Sequence, residues 1–146
     1  MDDRDRQHLR NLIDHAQVAV GYASAHGRGW WKNPETLDAV LMRISQVGEA
    51  ASKTSPEALA TVPGVTWRDV KGIRGKIVHD YQAVDTVVIR GVVSRQLPRL
   101  ITIVTRALAA EEQSTNRRNA DTPPPRRSAS RAVPPRPRSP ARRPPA

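Results

Sequence analysis

The sequence contains no cysteine and no long apolar run. Without cysteine, disulfide bonds and thiolate metal sites are excluded. No segment approaches the ~18 apolar residues of a membrane-spanning helix, and the acidic, polar start does not resemble a signal peptide. The sequence also shows no internal repeat and no carboxylate cluster that would suggest a two-metal site. We therefore expect a cytoplasmic protein that makes no membrane contact and needs no metal or other cofactor.

Lysine is absent from the C-terminal region, which is rich in arginine and proline. Residues 115–146 hold nine arginines, nine of the 13 prolines and one acid, a net charge of +8. The preceding residues hold 15 basic and 13 acidic side chains, so their charge is nearly balanced. Few residues of this region could build a core, and proline opposes helix and sheet. We predict one folded domain over residues 1–112 and a disordered tail over 113–146.

The arginines of the tail suggest a role of their own. Many cationic side chains on a flexible chain bind nucleic acid electrostatically, with steep salt dependence and little sequence choice. The tail could therefore make nonspecific contacts with nucleic acid and hold a substrate near the folded domain. A solubilising extension without any binding role is an equally weighted alternative.

Apolar residues recur at helical spacing through most of residues 1–112. A first helix is predicted over residues 5–26, where Gly27 ends the apolar run. Asn33 and Pro34 are typical of a helix start, and the apolar stripe that follows them extends to about Lys53. A short helix is expected from Ser55, which precedes a proline as Asn33 does.

Two more helices are predicted in the second half. Thr66 and Asp69 resemble a capping box, so a helix should cover about residues 67–80, with Gly72 as a point where it could break. The last helix should run from about Asp85 to Glu112, kinked by Pro98. The pattern predicts an all-α bundle of four main helices with a short fifth.

The most informative stretch is Ile73–Tyr81, which holds a strong cation, an imidazole and a phenol within eight positions: Arg74, His79 and Tyr81. Imidazole moves protons near neutral pH, and guanidinium suits phosphate oxygens. On a continuous helix Arg74 and His79 lie about 140° apart, and His79 and Tyr81 about 200° apart. Either the helix ends near His79, so that Tyr81 can swing round, or a second chain completes the site. A symmetric homodimer would place two motif helices beside a common groove, and the apolar stripe on every helix of so small a domain leaves surface for that contact.

The spacing of arginine, four residues, histidine, one residue and tyrosine resembles the signature of the HepT-like toxins in the HEPN ribonuclease superfamily. The likeness covers about residues 5–108. Further segments resemble the family's Gly-Glu-Ala stretch, its tryptophan-led approach to the arginine and its downstream pattern: Ile44–Ala51, Thr66–Ile73, Val84 and Asp85, and Gln96–Pro98. One departure is Gly75, where the family often has asparagine.

The resemblance implies a HEPN-type four-to-five-helix bundle and a dimeric, metal-independent RNA endonuclease. Such proteins act as the toxin of a type VII-like toxin–antitoxin pair. The implied partner is a cognate minimal nucleotidyltransferase antitoxin, which silences the toxin by transferring AMP to the motif tyrosine, here Tyr81. The catalytic residues would be Arg74 and His79.

The residue types fit that chemistry, because RNA supplies its own nucleophile, the 2′-hydroxyl. His79 could accept its proton or protonate the departing 5′-oxygen, and Arg74 could stabilise charge on the phosphorane oxygens. Glu49 could support the site by pairing with Arg74 or His79, although an ordinary helix-surface glutamate is as good an interpretation. The expected product ends in a 2′,3′-cyclic phosphate.

Alternatives remain at this level. His79 and Arg74 could be solvated helix residues, and Tyr81 a packed ring. Trp30 and Trp31 fit a hydrophobic plug over the bundle end better than a base-stacking platform. The alternative function is a non-catalytic helical dimer that binds nucleic acid or a nucleotidyltransferase partner, with Gly75 marking lost activity.

Overall fold

Helices make up almost all of the regular structure. The computed structural model describes residues 1–121, 133–138 and 145, and no strand occurs among them. The six α-helices are α1 (Asp3–His26), α2 (Pro34–Lys53), α3 (Pro56–Ala60), α4 (Trp67–His79), α5 (Thr86–Gly91) and α6 (Leu97–Ala120). Short 3₁₀ turns cover Trp30–Lys32 and Tyr81–Ala83, and a π-helical segment, Val92–Gln96, joins α5 to α6. The predicted all-α class is confirmed.

The helix starts follow from the capping residues. The side chains of Asn33 and Ser55 each accept a hydrogen bond from the N–H three residues on, at 2.9 and 3.2 Å. Asp85 accepts one from the N–H two residues on, at 2.8 Å. Thr66 precedes α4 but makes no side-chain capping bond, so the predicted capping box is wrong. Asp69 faces the guanidinium of Arg68 instead, at 3.8 Å.

The core forms where α2 packs along α1, while α6 also packs on α1 and α4 packs on α2. The apolar stripes predicted for α1 and α2 supply much of this core, because helical spacing places their residues on one face. The largest fully buried side chains are Leu9, Leu12, Val40, Leu41, Ile44, Val47, Val62 and Val104. Helix α4 contributes little to this core, since only Ile77 of its 13 residues is buried. The motif helix therefore lies on the surface of the bundle.

A buried carboxylate fixes the start of α3 against α1. Asp5 is buried and accepts hydrogen bonds from the backbone N–H and the hydroxyl of Ser55, at 2.8 and 2.7 Å. Both bonds favour the ionised carboxylate, and they lower the pKa of Asp5 below its usual value. This contact sets the connection that leads from α2 towards α4.

The last helical region differs from the prediction at its middle and at its end. The expected kink at Pro98 is a π-helical segment that ends just before it, at Gln96. Proline has no N–H to donate back to the preceding turn, so the helix is irregular there. The predicted end at Glu112 is wrong, because α6 continues to Ala120. Arg10 of α1 pairs with Glu112 at 2.7 Å and holds this part of α6 on the bundle.

Residues 113–120, which were included in the predicted disordered tail, are helical and belong to α6. Residues 122–132, 139–144 and 146 lie outside the described residues, so most of that prediction falls on them. Residues 133–138 have no regular secondary structure. Within the described part of the chain, none of the helices combines the length and hydropathy that crossing a membrane requires.

Candidate active site on α4 and α2

Helix α4 runs antiparallel to α2, which brings two α2 residues to the motif. Arg74 contacts Glu49 near the end of α2, and Tyr81 contacts Asp38 near its start. Glu49 and Asp38 are three helical turns apart, about 16 Å along the axis. Each end of the motif is therefore tied to α2 by a polar contact.

The close approach of α4 to α2 depends on Gly48. A Cβ atom at this position would lie 3.1 Å from the Val70 carbonyl oxygen and 3.1 Å from the Arg74 Cβ. Such distances are tighter than ordinary van der Waals contact, and one of the two atoms belongs to the backbone. Only glycine fits here without a shift of α4. The Gly-Glu pair at 48 and 49 thus combines close packing with an acid beside Arg74.

Arg74 forms an ion pair with Glu49, with Nη1 and Oε2 3.0 Å apart. The other carboxylate oxygen of Glu49 lies 3.4 Å from Nζ of Lys53. The Arg74 side chain is 54% exposed, so the pair contributes at most about 1 kcal/mol to stability. It orients the guanidinium while leaving several N–H groups open to a ligand. Of the two partners considered for Glu49, the structure shows Arg74.

His79 is the last residue of α4 and is exposed. Within the described part of the chain, its ring makes no hydrogen bond and no ion pair. Helix α4 is unbroken from Trp67 to His79, so the expected break at Gly72 is absent. Arg74 and His79 therefore stay about 140° apart around the helix. One protomer does not bring them onto a common face.

Tyr81 leaves the helical path because α4 ends before it. Asp80 has φ −139° and ψ 40°, outside the helical region, and Tyr81 begins a 3₁₀ turn. The ring is 48% exposed, and its hydroxyl donates a hydrogen bond to the Asp38 carboxylate. This is one of the two arrangements expected from the sequence, a helix end near His79. Asp38 had no signal in the sequence, where it reads as an ordinary surface acid of α2.

A comparison with known protein families identifies the chain. The model of the family described as Ribonuclease HepT-like matches residues 9–107, which is most of the described helical region. The chain belongs to the HepT-like ribonuclease family. No solved structure matches it. The matched range contains Glu49, Arg74, His79 and Tyr81, and it excludes the arginine- and proline-rich C-terminal region.

Two adjoining clefts of about 340 and 480 Å³ lie beside α4 in this HepT-like protein. Both are lined by Ile73 of α4 and by Val92 and Gln96 of the π-helical segment. None of the motif residues lines either cleft: Arg74, His79 and Tyr81 lie on other sides of α4 or beyond its end. The candidate site is thus an open surface, which suits a chain-like substrate better than a small molecule.

The structure also shows what surrounds three other positions considered in the sequence analysis, Trp30, Trp31 and Gly75. Trp30 is buried in the core, and its ring meets that of Trp31 edge to face, with centroids 6.0 Å apart. The guanidinium of Arg90 covers Trp31 at 3.6 Å. This arrangement fits the hydrophobic plug. Gly75 has open space where a Cβ would stand, so glycine at this position is not required by packing.

Proposed function

We propose that this HepT-like protein is an RNA endonuclease that acts as a homodimeric toxin in the cytoplasm. The observation that carries the proposal is the presence of two exposed groups, a guanidinium and an imidazole, on one helix of a protein of the HepT-like ribonuclease family. Arg74 is oriented by Glu49, and His79 is unpaired within the described residues, so both are available to a phosphodiester.

The reaction begins with the 2′-hydroxyl of the RNA. His79 accepts its proton as the oxygen attacks the adjacent phosphorus, and a second imidazole protonates the 5′-oxygen that departs. Arg74 stabilises the negative charge that develops on the phosphorane oxygens. The products are a 2′,3′-cyclic phosphate and a free 5′-hydroxyl. No step requires a metal ion.

A second copy of the chain supplies the second imidazole. Two exposed apolar side chains support such a contact: Met42, one turn from Asp38 on α2, and Val78, one turn from Arg74 on α4. They are 60% and 58% exposed. A two-fold axis beside α4 would cover them and bring two copies of Arg74 and His79 to one groove.

Cleavage assays with matched strands test this function. The purified protein should cut a single-stranded RNA in the presence of a chelator and leave the DNA of the same sequence intact, because DNA lacks the 2′-hydroxyl. Mass spectrometry of the RNA fragments should show 2′,3′-cyclic phosphate ends. Equal cutting of RNA and DNA, or activity that disappears with the chelator, would contradict the mechanism.

Tyr81 is the proposed target of the antitoxin. We propose that a nucleotidyltransferase encoded by a neighbouring gene transfers AMP from ATP to the Tyr81 hydroxyl. The Tyr81 oxygen bonds to the α-phosphorus of ATP, the bond to pyrophosphate breaks, and the phenolic proton passes to the Asp38 carboxylate. Asp38 suits this role because it already accepts the hydrogen bond from that hydroxyl. The half-exposed ring leaves room for the partner enzyme.

We expect Asp38→Asn to slow AMP transfer about 100-fold, since an amide accepts no proton but keeps the size of the side chain. The rate should be followed by intact-protein mass at saturating ATP, with Glu35→Gln on the same helix as the matched control. Tyr81→Phe should take up no AMP. Modification that persists in Tyr81→Phe would place the acceptor elsewhere, whereas equal rates for Asp38→Asn and Glu35→Gln would remove only the role of Asp38.

A further inference from the structure

The chain from Thr86 to Ala110 contains four arginines and not one acidic residue or lysine. This stretch covers α5, the π-helical segment and more than half of α6. The remainder of residues 1–114 mixes both signs of charge, with 13 acids among them. A surface of one sign on an otherwise balanced domain indicates a charged partner rather than a solubilising role.

Three of the four arginines of α6 lie along one line of the helix. Arg99, Arg106 and Arg117 are separated by seven and eleven residues, so they fall within about 20° of one another around the helix and span about 27 Å. Arg95 lies one turn earlier, in the π-helical segment. All four side chains are exposed. We call these four residues, Arg95, Arg99, Arg106 and Arg117, the arginine face.

The two acidic residues of α6 form ion pairs with groups outside the arginine face. Glu111 pairs with the N-terminal ammonium of Met1 at 3.3 Å, and Glu112 pairs with Arg10 of α1 at 2.7 Å. Both therefore point toward the start of α1. Among the described residues, no member of the arginine face forms an ion pair. Asp69 shares the smaller cleft with Arg99 and lies 3.8 Å from Arg68. Within the part of the chain that the structure describes, the charge of the arginine face is thus not neutralised by ion pairs.

One end of the arginine face lies close to α4, the helix that carries Arg74 and His79. Arg99 lines the 340 Å³ cleft together with Asp69 and Ile73 of α4. One end of the arginine face and α4 therefore border the same cleft. Its other end, Arg117, lies just before the C-terminal region, which carries seven more arginines after Asp121. Spaced guanidinium groups therefore extend along α6 from the side of α4 that carries Ile73.

We propose that the arginine face binds the phosphates of an RNA strand and holds the substrate along α6 while the strand is cut at α4. This inference rests on the proposed ribonuclease function and adds a substrate-binding surface outside the catalytic residues. Guanidinium groups pair with phosphate oxygens, and a length of about 27 Å accommodates several nucleotides of an extended strand. Binding of this kind depends on charge and is indifferent to base sequence.

Salt-dependent binding tests the proposal in the full chain. All proteins carry His79→Ala so that the RNA stays intact, and the probe is a fluorescein-labelled oligouridine of about 20 nucleotides. The test variant combines Arg99→Gln, Arg106→Gln and Arg117→Gln. The control combines Arg28→Gln, Lys32→Gln and Arg68→Gln, which removes the same charge from exposed positions off the arginine face. Circular dichroism verifies that both variants are folded.

We expect the test variant to bind about 10-fold more weakly than the control near physiological salt, and the slope of log Kd against log salt to fall by about two. Equal affinity and slope in the two variants would overturn the proposal. Loss of binding to the nucleotidyltransferase with RNA binding unchanged would also overturn it, in favour of a protein partner. Because binding is measured without cleavage, a chain that binds through the arginine face but never cuts RNA would refute the ribonuclease function alone.

Discussion

His79→Ala should lower the rate of RNA cleavage by about 100-fold to 10,000-fold, the usual contribution of a general acid or base. The loss should be chemical rather than structural, because His79 is exposed at the end of α4 and has no hydrogen-bond partner among the described residues. Initial rates on a defined RNA, with thermal unfolding measured beside them, check this. Lys76→Ala, at another exposed position of α4, is the control for a surface substitution.

Mixed dimers extend this prediction to the partner subunit. If one His79 acts as base and the partner's His79 as acid, a dimer with one substituted chain is inactive. Exchange of equal amounts of parent and His79→Ala chains leaves about a quarter of the dimers with two parent chains. The activity should therefore be about a quarter of that of the parent protein at the same total concentration. An activity of about half would mean that each chain cuts RNA alone. Full activity of pure His79→Ala would remove this residue from the mechanism.

Gly48→Leu should destabilise the protein by about 1–3 kcal/mol, although leucine forms helices better than glycine. The new Cβ would stand 3.1 Å from the Val70 carbonyl oxygen, so α4 has to move away from α2. That movement should also separate Arg74 from Glu49 and reduce cleavage. Urea denaturation gives the free energy of unfolding, and the same samples give the cleavage rate.

The matched control for this prediction is Gly72→Ala on α4. A Cβ at Gly72 meets no atom within 4 Å, so the substitution should raise the free energy of unfolding by up to about 1 kcal/mol. Opposite signs at two helical glycines would show that contact with α4, rather than helix propensity, governs Gly48. A Gly48→Leu protein as stable as the parent would contradict the close packing described here.

Local patterns predicted much of this fold. The stripes of α1 and α2, the helix starts near Asn33, Ser55 and Asp85, and the end of α4 near His79 all depend on residues close together in sequence. So does the 140° separation of Arg74 from His79, which follows from helix geometry once α4 is unbroken. These features needed no knowledge of which helices touch.

The features that sequence reasoning missed depend on contacts between distant segments. The partner of Tyr81 is Asp38, 43 residues away, and nothing in the spacing of either residue indicates the contact. Gly48 was noticed only because its segment resembles the Gly-Glu-Ala stretch of the HepT-like family. The physical reason for glycine at this position is the close contact between α4 and α2. The end of α6 was misplaced because its polar, arginine-rich last turns resemble a tail, whereas Arg10 and Met1 hold Glu112 and Glu111 on α1.

The hydrogen bond from Tyr81 to Asp38 would be lost if Tyr81 received AMP. The phosphodiester oxygen would have no hydrogen to donate, and its phosphate would bring a negative charge against a carboxylate. The turn after α4 would then lose its tie to α2 and be pushed away from it. Attachment of one nucleotide would thereby alter the shape of the surface next to His79 as well as its charge. Silencing would act on the framework of the site, and not only on access to it.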